Sequence, residues 1–588
     1  MSDGSQVREG ETASVTDRAG SPPTSDPGSA GGPIADPAAG DAQTDRDGEA
    51  DRATAVDRGD DDVRDDDVRG DDVRDDDDVR DDDAPGEDAD TRPARSAFLR
   101  RWLAAFLLLA AFSTAWSLVT PPAGGPDEQY HAIKGAAVVT GQFTGRPDPV
   151  LGGGATFVEV SARWERLDRM PGCFAFQPAV PADCAGVLDG PTGDKDVRTR
   201  AGISPPFFHG LVGAPMHFLS SLDGLYLSRL IGSLVAAAMV SAALTLAATA
   251  RSWFLVGGVV VAWTPMAAFL SGVINPSSLE ISSATLVWVS GVLLVRPDGV
   301  PTWLQRRLVW FFAAAAVPFA LTRQASPILL ACIVAVLLVA APWARVRALF
   351  ADRRVWLPAG LVAAAALGAV VWLMANPLGP GGDKATVVYG RRDMVTVPLG
   401  RLGAMYEQMI GLFGWLDTRP PSFVQMGWTA AIAVLVVLGV TLGPRRLAVA
   451  NGALAVGTLA VYIGLEGSLL RETGPIFQGR YLLPLAMGIV LLAGRAVDES
   501  APDLRPRLLP VLGVVVGLTA AGHLVAIWFG ARRFAVGTGG PVWFVGDARW
   551  QPAIPQAVVL VAALAAILGL VAWVWTAVRA DALRTVRS

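Results

Sequence analysis

Apolar residues run in long stretches through most of this chain of 588 residues, and polar residues are concentrated in the connections between them. A helix needs about 20 apolar residues to cross a bilayer, and shorter runs can be tilted or half-inserted. Runs near that length lie at residues 98–119, 225–249, 253–273, 279–295, 308–322, 327–342, 356–375, 428–443, 447–466, 481–494, 508–528 and 556–577. The pattern predicts an all-α, polytopic integral membrane protein with about twelve transmembrane helices.

The first 96 residues have a different pattern, with many Gly, Ser, Pro, Ala and Asp residues and an Asp-Asp-Val-Arg repeat at residues 61–83. They carry 30 acidic and 11 basic residues, a net charge of −19, whereas the rest of the chain has a net charge of +13. Such a segment cannot bury enough apolar surface to fold, and its like charges keep it extended. We therefore predict a disordered acidic cytoplasmic tail at 1–96, a transmembrane domain at 97–580 and a short cytoplasmic tail at 581–588.

Composition narrows the class of protein further. A hydrophobic content of 52% and a mean hydropathy of +0.39 exclude an ordinary soluble protein of several domains. The sequence contains no Gly-rich phosphate loop of the kind that precedes a helix in nucleotide-binding domains. The lipid bilayer is the expected partner, and no nucleic acid is expected.

Arginine residues in the short connections set the predicted orientation. They collect in every second connection, as at Arg251, Arg345 and Arg445. Because cytoplasmic loops carry an excess of Lys and Arg, these connections and both termini are predicted to be cytoplasmic. The alternate connections are then outer loops, the largest at 120–224 and 376–427. Since the centres of the spans carry almost no ionisable groups, we expect a multi-pass protein of the cell (plasma) membrane that works at its outer surface.

The first outer loop begins with PPAGGPDEQYH at residues 121–131. Pro126 suits the first turn of a helix that begins at about Asp127, and on this helix Asp127 and His131 share one face. Carboxylates at the membrane surface can act as general bases on a lipid-anchored substrate. Asp127 and Glu128 are therefore candidate catalytic residues, and His131 is a candidate substrate ligand. The alternative is that acidic residues in a first turn only stabilise the helix dipole.

Further charged residues lie in or beside the predicted outer connections. Arg323, Arg480 and the pair Arg532 and Arg533 depart from the cytoplasmic bias of the other arginines. A guanidinium group there can grip a phosphate through paired donors, and the alternative is snorkelling to lipid headgroups. Glu280 opens a span within NPSSLE, where it either faces a cavity or caps the helix. We take all five as candidate substrate ligands.

Cys173 and Cys184 both lie in the first predicted outer loop. If this loop faces an oxidising exterior, the two residues can form a disulfide. Two unpaired thiols are the alternative. The remaining cysteine, Cys332, lies in an apolar run and is expected to fill space in the core.

Several short motifs resemble the bacterial DUF2142 membrane proteins, and they occur in order over about residues 98–555. They are PDExxH at 126–131, SPPFF at 204–208, YLSRL at 226–230, NP at 275–276, GLFGWLD at 411–417, GRYLLP at 479–484 and RRFAVG at 532–537. This family in turn resembles the GT-C glycosyltransferases, which are multi-span enzymes that take sugars from polyprenyl-phosphate carriers on the outer face.

The resemblance implies a GT-C-like fold, a polyprenyl-phosphate-linked sugar as donor and a cell-envelope glycan as acceptor. It also implies an inverting displacement in which Asp127, with Glu128 beside it, takes the proton of the acceptor hydroxyl. Arg323, Arg480 or the pair at 532–533 would stabilise the departing phosphate. Gln129 replaces the usual proline in the fourth place of the first motif, which bears on the local turn.

The resemblance leaves the cofactor and the activity open. Some members of the larger class use a divalent metal, and Asp127, Glu128 and His131 could supply ligands, although the sequence assigns no cofactor. Two alternatives to a glycosyltransferase remain. One is a transporter or flippase of a lipid-linked glycan, and the other is a non-catalytic scaffold whose outer loops bind another envelope protein.

Overall fold

The computed structural model of the protein describes residues 87–377, 388–500 and 504–585. Helix α1 (Glu87–Val119) begins before residue 96, the predicted end of the acidic tail, and residues 1–86 of that tail lie outside the described residues. Helix α20 (Gln556–Thr585) likewise continues past the predicted boundary at residue 580. Both helices extend beyond their apolar runs. Adding residues to an existing helix costs little, and the flanking Ala and Arg residues have high helix propensity.

Most of the described chain forms helices that are long and apolar enough to cross a membrane. There are 10 of them, or up to 12 if each bent pair is one span. This result confirms the predicted all-α, multi-pass fold. Besides α1 and α20, the single spans are α5 (Leu222–Thr249), α8 (Pro276–Val295), α9 (Thr302–Thr322), α12 (Arg353–Ala375), α15 (Ser422–Leu442), α16 (Arg445–Thr473), the consecutive α17 (Gly479–Ala486) and α18 (Gly488–Ser500), and α19 (Arg505–Val536).

Two predicted spans, at 253–273 and 327–342, are bent helix pairs. Helices α6 (Trp253–Ala262) and α7 (Pro265–Ser271) meet at 65°, and α10 (Ser326–Ala340) and α11 (Trp343–Ala351) meet at 120°. Proline explains both bends, since it lacks an N–H group and forces the preceding residue out of the helical region. Pro265 opens α7, and the Thr264 hydroxyl caps that helix by accepting from the Ala267 N–H group at 3.2 Å.

Residues 120–224, predicted as an outer loop, form a folded layer. It contains α2 (Glu128–Val139), α3 (Arg163–Arg169), α4 (Pro206–Leu219) and 3-10 turns at Met170–Cys173 and Ala182–Ala185. An antiparallel sheet has the strand order β1 (Arg146–Pro147), β2 (Thr156–Ser161), β3 (Asp194–Thr199), with Val158 opposite Val197. Trp164, Phe174 and Met216 are buried in its own apolar core. We call the end of the helices at which this layer lies the site end.

A disulfide joins Cys173 and Cys184 within this layer. The segment between the two cysteines contacts the end of α19, where the Arg533 guanidinium group donates to the carbonyl oxygens of Phe174 and Val180. The covalent link therefore closes a short loop that the end of a spanning helix also holds.

Helix α8 is the central span, because 94% of its most apolar window is buried, against 11% for α12. Its small hydroxyl residues satisfy their own hydrogen bonds within the helix, as where Thr285 Oγ1 donates to the Ile281 carbonyl oxygen at 2.9 Å. Small residues permit close approach of neighbouring helices in a membrane. Central packing fixes the N-terminus of α8, which carries Asn275 and Glu280, at the site end.

In the second large connection, 376–427, the structure describes residues 376–377 and 388–427. It contains α13 (Asp393–Gly400) and α14 (Leu402–Gly411), followed by a tight turn in the GLFGWLD motif. In that turn Phe413 pairs with Thr418, while Gly414 and Leu416 have positive φ angles of 61° and 60°. The Trp415 Nε1–H group donates to the Ala123 carbonyl oxygen at 3.1 Å, so the motif supports the loop that carries Asp127.

Candidate functional site

Asp127 stands immediately before α2 with a left-handed backbone, at φ 61° and ψ 9°. Asp tolerates this conformation better than most residues, and such backbone strain clusters at functional sites. Its side chain does not cap the helix. Instead, Oδ2 accepts a hydrogen bond from Arg480 Nη2 at 2.6 Å, and 37% of the Asp127 side chain is exposed. The carboxylate is therefore bound by Arg480 rather than by the N–H groups at the start of α2.

Arg480 is buried, with an exposed side-chain fraction of 1%. Its Nη2 group donates to Asp127 and to the Tyr481 hydroxyl at 3.1 Å. Its Nε and Nη1 groups are also buried, and they find no acceptor among the described residues. A buried donor without a partner is costly, and more so on a charged group. Two nitrogens of this guanidinium group are therefore unpaired.

The position of Arg480 depends on Gly479. The Gly479 N–H group donates to Gln408 Oε1 at 2.8 Å. A Cβ atom at residue 479 would lie 2.2 Å from the Met405 carbonyl oxygen, which is closer than any real contact. Only glycine lets α17 begin this close to α14, and that approach buries Arg480.

Arg323 and Glu280 lie beside this pair. Arg323 Nη1 donates to Ser277 Oγ at 3.2 Å, and Arg323 Nε is 3.6 Å from Glu280 Oε2. The Arg323 guanidinium carbon is 4.2 Å from the centroid of the Tyr481 ring, and that of Arg480 is 5.1 Å from the same centroid. One aromatic ring thus contacts both guanidinium groups, as in cation–π pairs.

Glu280 does not cap α8, which corrects the alternative drawn from the sequence. Asn275 caps this helix by accepting the Ser277 N–H group at 2.9 Å, and its Nδ2 group donates to the Pro126 carbonyl oxygen at 2.8 Å. Glu280 is 1% exposed and accepts from Ser326 Oγ at 2.7 Å. The start of the central helix is therefore bonded to the residue before Asp127.

His131 lies next to His209 of α4, with His131 Nδ1 and His209 Nε2 3.1 Å apart. His209 Nδ1 is 3.0 Å from the Pro205 carbonyl oxygen. Burial lowers the pKa of His209 to about 3. Burial also lowers the pKa of His131 well below its usual range, with further lowering by His209 and by the positive charges of Arg323 and Arg480. Both rings are neutral near neutral pH.

Glu128, a predicted catalytic residue, has a structural contact instead. It is fully buried and accepts from Arg229 Nε and Nη2, each at 2.6 Å, and from the Ile274 N–H group at 3.0 Å. Arg229 also donates to the carbonyl oxygens of Ser117, Thr120 and Pro121. With its oxygens committed to these donors, Glu128 fixes the loop after α1.

Arg229 was not among the residues singled out as functional from the sequence, although it lies in the YLSRL motif. Its signal was a single arginine within an apolar span, a position that calls for a carboxylate partner. The partner lies 101 positions earlier in the chain. Only the tertiary structure could identify it.

Arg532 and Arg533, predicted phosphate ligands, are engaged elsewhere. Arg532 donates to the carbonyl oxygens of Thr538, Gly540 and Pro541 in the loop after α19. Arg533 donates to Asp417 at 3.2 Å and to two carbonyl oxygens of the disulfide segment. Backbone carbonyls thus occupy most of these donors, so the pair stabilises loops in this structure.

The three residues considered as metal ligands do not converge. Asp127 contacts Arg480, Glu128 contacts Arg229 and His131 contacts His209. In residues 87–377, 388–500 and 504–585 no group of three His, Cys, Asp or Glu side chains is arranged to hold a metal ion. The side chains present at Asp127 therefore do not fit a divalent metal centre.

An apolar cavity of about 370 Å³ lies between helices that include α17, the helix of Arg480. Residues of α6, α14, α15, α16 and α17 line it, among them Met405, Tyr406, Tyr462, Leu482 and Leu483. The two leucines lie on α17, two and three residues after Arg480. Helix α17 thus carries both Arg480 and part of the cavity lining.

The fold and this site define a multi-pass membrane protein with a cluster of charged residues where its spanning helices end. The chain belongs to the DUF2142 family, described as "Predicted membrane protein (DUF2142)", whose pattern matches residues 108–489. This membership confirms the family expected from the motifs. No curated protein matches the chain.

Two solved structures are similar to this chain. The crystal structure of ArnT from Cupriavidus metallidurans in the apo state is 15% identical, with a TM-score of 0.37, over 82% of this chain and 77% of that one. The crystal structure of ArnT from Cupriavidus metallidurans bound to undecaprenyl phosphate is 14% identical, with a TM-score of 0.35, over 83% of this chain and 76% of that one.

Proposed function

We propose that this protein transfers a sugar from a polyprenyl-phosphate carrier to a glycan of the cell envelope, at the outer face of the cell membrane. One observation carries the proposal. Arg480 is buried with two nitrogens that lack acceptors, its third nitrogen binds Asp127, and the helix that carries it also lines an apolar cavity. An anion with an apolar tail matches both halves of this arrangement.

The phosphate group is the natural ligand of Arg480. A guanidinium group binds phosphate through two parallel hydrogen bonds, which a lysine cannot make. Arg323 and the Tyr481 hydroxyl lie close enough to take part. The cavity of about 370 Å³ falls within the usual size range of ligand pockets.

The apolar cavity acts by shape rather than by hydrophobic driving force. A prenyl chain leaves lipid tails of equal polarity when it enters the protein, so the transfer of apolar surface contributes little. The charge of Arg480 therefore supplies most of the affinity, and the cavity selects a chain that fits. The motifs shared with DUF2142 proteins and their resemblance to GT-C enzymes point in the same direction.

The chemistry is an inverting displacement. The acceptor oxygen attacks the anomeric carbon, the bond from this carbon to the phosphate oxygen breaks, and the phosphate keeps the electron pair. Arg480 stabilises the charge on the departing phosphate, and Asp127 takes the proton of the acceptor hydroxyl. The phosphate takes the two unpaired nitrogens of Arg480, while Nη2 holds Asp127 Oδ2 and leaves the other carboxylate oxygen for the proton.

The test uses the full-length protein in liposomes with labelled polyprenyl-phosphate sugars and extracted envelope glycan. We expect labelled glycan with the native chain and at least a hundred-fold slower transfer with Asp127→Asn, the scale of a general base. Asp189→Asn is the control, since Asp189 is an exposed carboxylate of the same layer. Arg480→Lys should weaken binding of farnesyl phosphate by roughly ten- to hundred-fold, the scale of hydrogen bonds to a charged group.

The same liposomes test the transporter alternative. If the native protein forms no labelled glycan but moves the lipid-linked sugar across the bilayer, and Asp127→Asn moves it as fast, the transferase proposal is wrong. Equal transfer by Asp127→Asn and the native protein would also refute the assignment of the base.

A further inference from the structure

The hydrogen bonds of the two histidines fix the proton position on each ring. A carbonyl oxygen only accepts, so His209 Nδ1, at 3.0 Å from the Pro205 oxygen, carries a proton. The neutral His209 ring then has a lone pair on Nε2. That lone pair accepts from His131 Nδ1 at 3.1 Å, so His131 also carries its proton on Nδ1.

The remaining nitrogen of His131 is therefore an acceptor. His131 Nε2 makes no hydrogen bond to a protein group among the described residues. The residue is only 8% exposed. His209, by contrast, has partners on both nitrogens and is completely buried. A histidine that serves only the core is normally satisfied at both nitrogens, as His209 is.

His131 lies beside the polar site. His131 follows Asp127 by one helical turn, and the backbone N–H group of His131 donates to the Asp127 carbonyl oxygen at 3.2 Å. The charges of Arg323 and Arg480 act on its ring. These arginines supply only donors, whereas His131 Nε2 supplies a neutral acceptor that a phosphate oxygen without a proton cannot use.

We propose that His131 accepts a hydrogen bond from a hydroxyl group of the sugar on the donor lipid, and that His209 is a positioning residue that holds His131 in this tautomer. The proposal rests on the proposed function, since the sugar is bonded to the phosphate that Arg480 binds. The arginines recognise the anion, and His131 recognises a proton-bearing group next to it. Ligands with a bare phosphate or an ether at that point are disfavoured.

The experiment is solid-state ¹⁵N NMR of full-length protein in lipid bilayers with ¹⁵N-labelled histidine. The chain has four histidines, so the ring signals can be assigned by single substitution. We expect His131 to have a protonated Nδ1 and an unprotonated Nε2, with its signals absent in His131→Gln. His217→Gln is the control, because His217 is an exposed residue of the same helix as His209.

Substitutions of His209 test its positioning role. His209→Leu removes the acceptor, so His131 should populate both tautomers. His209→Gln can place a side-chain oxygen where Nε2 stood, and it should restore the single tautomer. A His131 ring that carries its proton on Nε2 in the native chain, or that keeps one tautomer in His209→Leu, overturns the positioning role.

Addition of lipids tests the hydroxyl contact. Farnesyl phosphate carrying glucose, galactose or mannose should shift the His131 Nε2 signal toward that of a hydrogen-bonded nitrogen, and farnesyl phosphate alone should not. A signal that no probe moves, or that farnesyl phosphate alone moves as far, overturns the proposal. Transfer is measured separately on the same samples by chromatography of the glycan, so a shifted signal without product refutes the transferase activity alone.

Discussion

Replacing Glu128 by Gln should destabilise the fold, although Glu128 directly follows the proposed base. Glu128 accepts from two nitrogens of Arg229 at 2.6 Å and from the Ile274 N–H group, and both charged side chains are fully buried. Gln would remove the charge and direct an amide donor at the guanidinium group. Breaking a buried pair by removing one partner costs about 3–5 kcal/mol.

We expect the lower end of this range, about 3 kcal/mol, because an unfolded chain at the membrane surface regains water and other partners. This corresponds to a change of roughly 150-fold in the folding equilibrium. Glu165→Gln is the control. Glu165 pairs with Lys195 and Arg169 at 2.7 Å, but its side chain is 37% exposed. Solvent screening leaves such pairs about 0.2–1 kcal/mol.

The assay is reversible unfolding of the full-length protein in mixed micelles with increasing SDS, together with the fraction that stays monodisperse after heating. Glu128→Gln should unfold at a clearly lower SDS fraction than the native chain, while Glu165→Gln stays close to it. Equal behaviour of the two variants would refute the role of the buried pair in holding the loop after α1.

Two further predictions concern Lys134 and Gly479. Burial lowers the pKa of Lys134 from 10.5 to about 7, so the unfolded chain binds more protons than the folded one between these values. Stability should therefore rise as the pH increases from about 7 to 10.5, and Lys134→Met should remove this increase in unfolding experiments across that range. Gly479→Ala should displace Arg480 and abolish farnesyl phosphate binding, whereas Gly464→Ala, at an exposed helical position with open space, should bind normally.

Local patterns were sufficient to predict the spans. Every predicted run corresponds to a spanning helix or to one of the two bent pairs, because backbone groups in a bilayer must be satisfied within the segment itself. The bends at Pro265 and Pro342 also follow from local sequence, since proline interrupts a helix, although they were not predicted. The folded layer at 120–224 was missed because its strands are short and its core forms from residues far apart in the chain.

The candidate site could be predicted only in part. The sequence singled out Asp127, His131, Glu280, Arg323 and Arg480 as separate residues, and the structure brings them together. It could not separate Asp127 from Glu128, since neighbouring carboxylates have the same local signal. Their difference arises from the long-range partners that the fold gives each one.

The sequence by itself determined that this chain crosses a membrane many times, which family it belongs to, and that charged residues gather between its spans. These properties depend on how the residues of each segment interact with lipid or with water. The tertiary structure alone decided which charged groups have all their hydrogen-bonding atoms paired and which do not. Arg229 satisfies Glu128, whereas Arg480 shares one nitrogen with Asp127 and keeps two buried donors unpaired. The physical reason is that the pairing of buried charges depends on distances of a few ångströms between residues that are more than 100 positions apart.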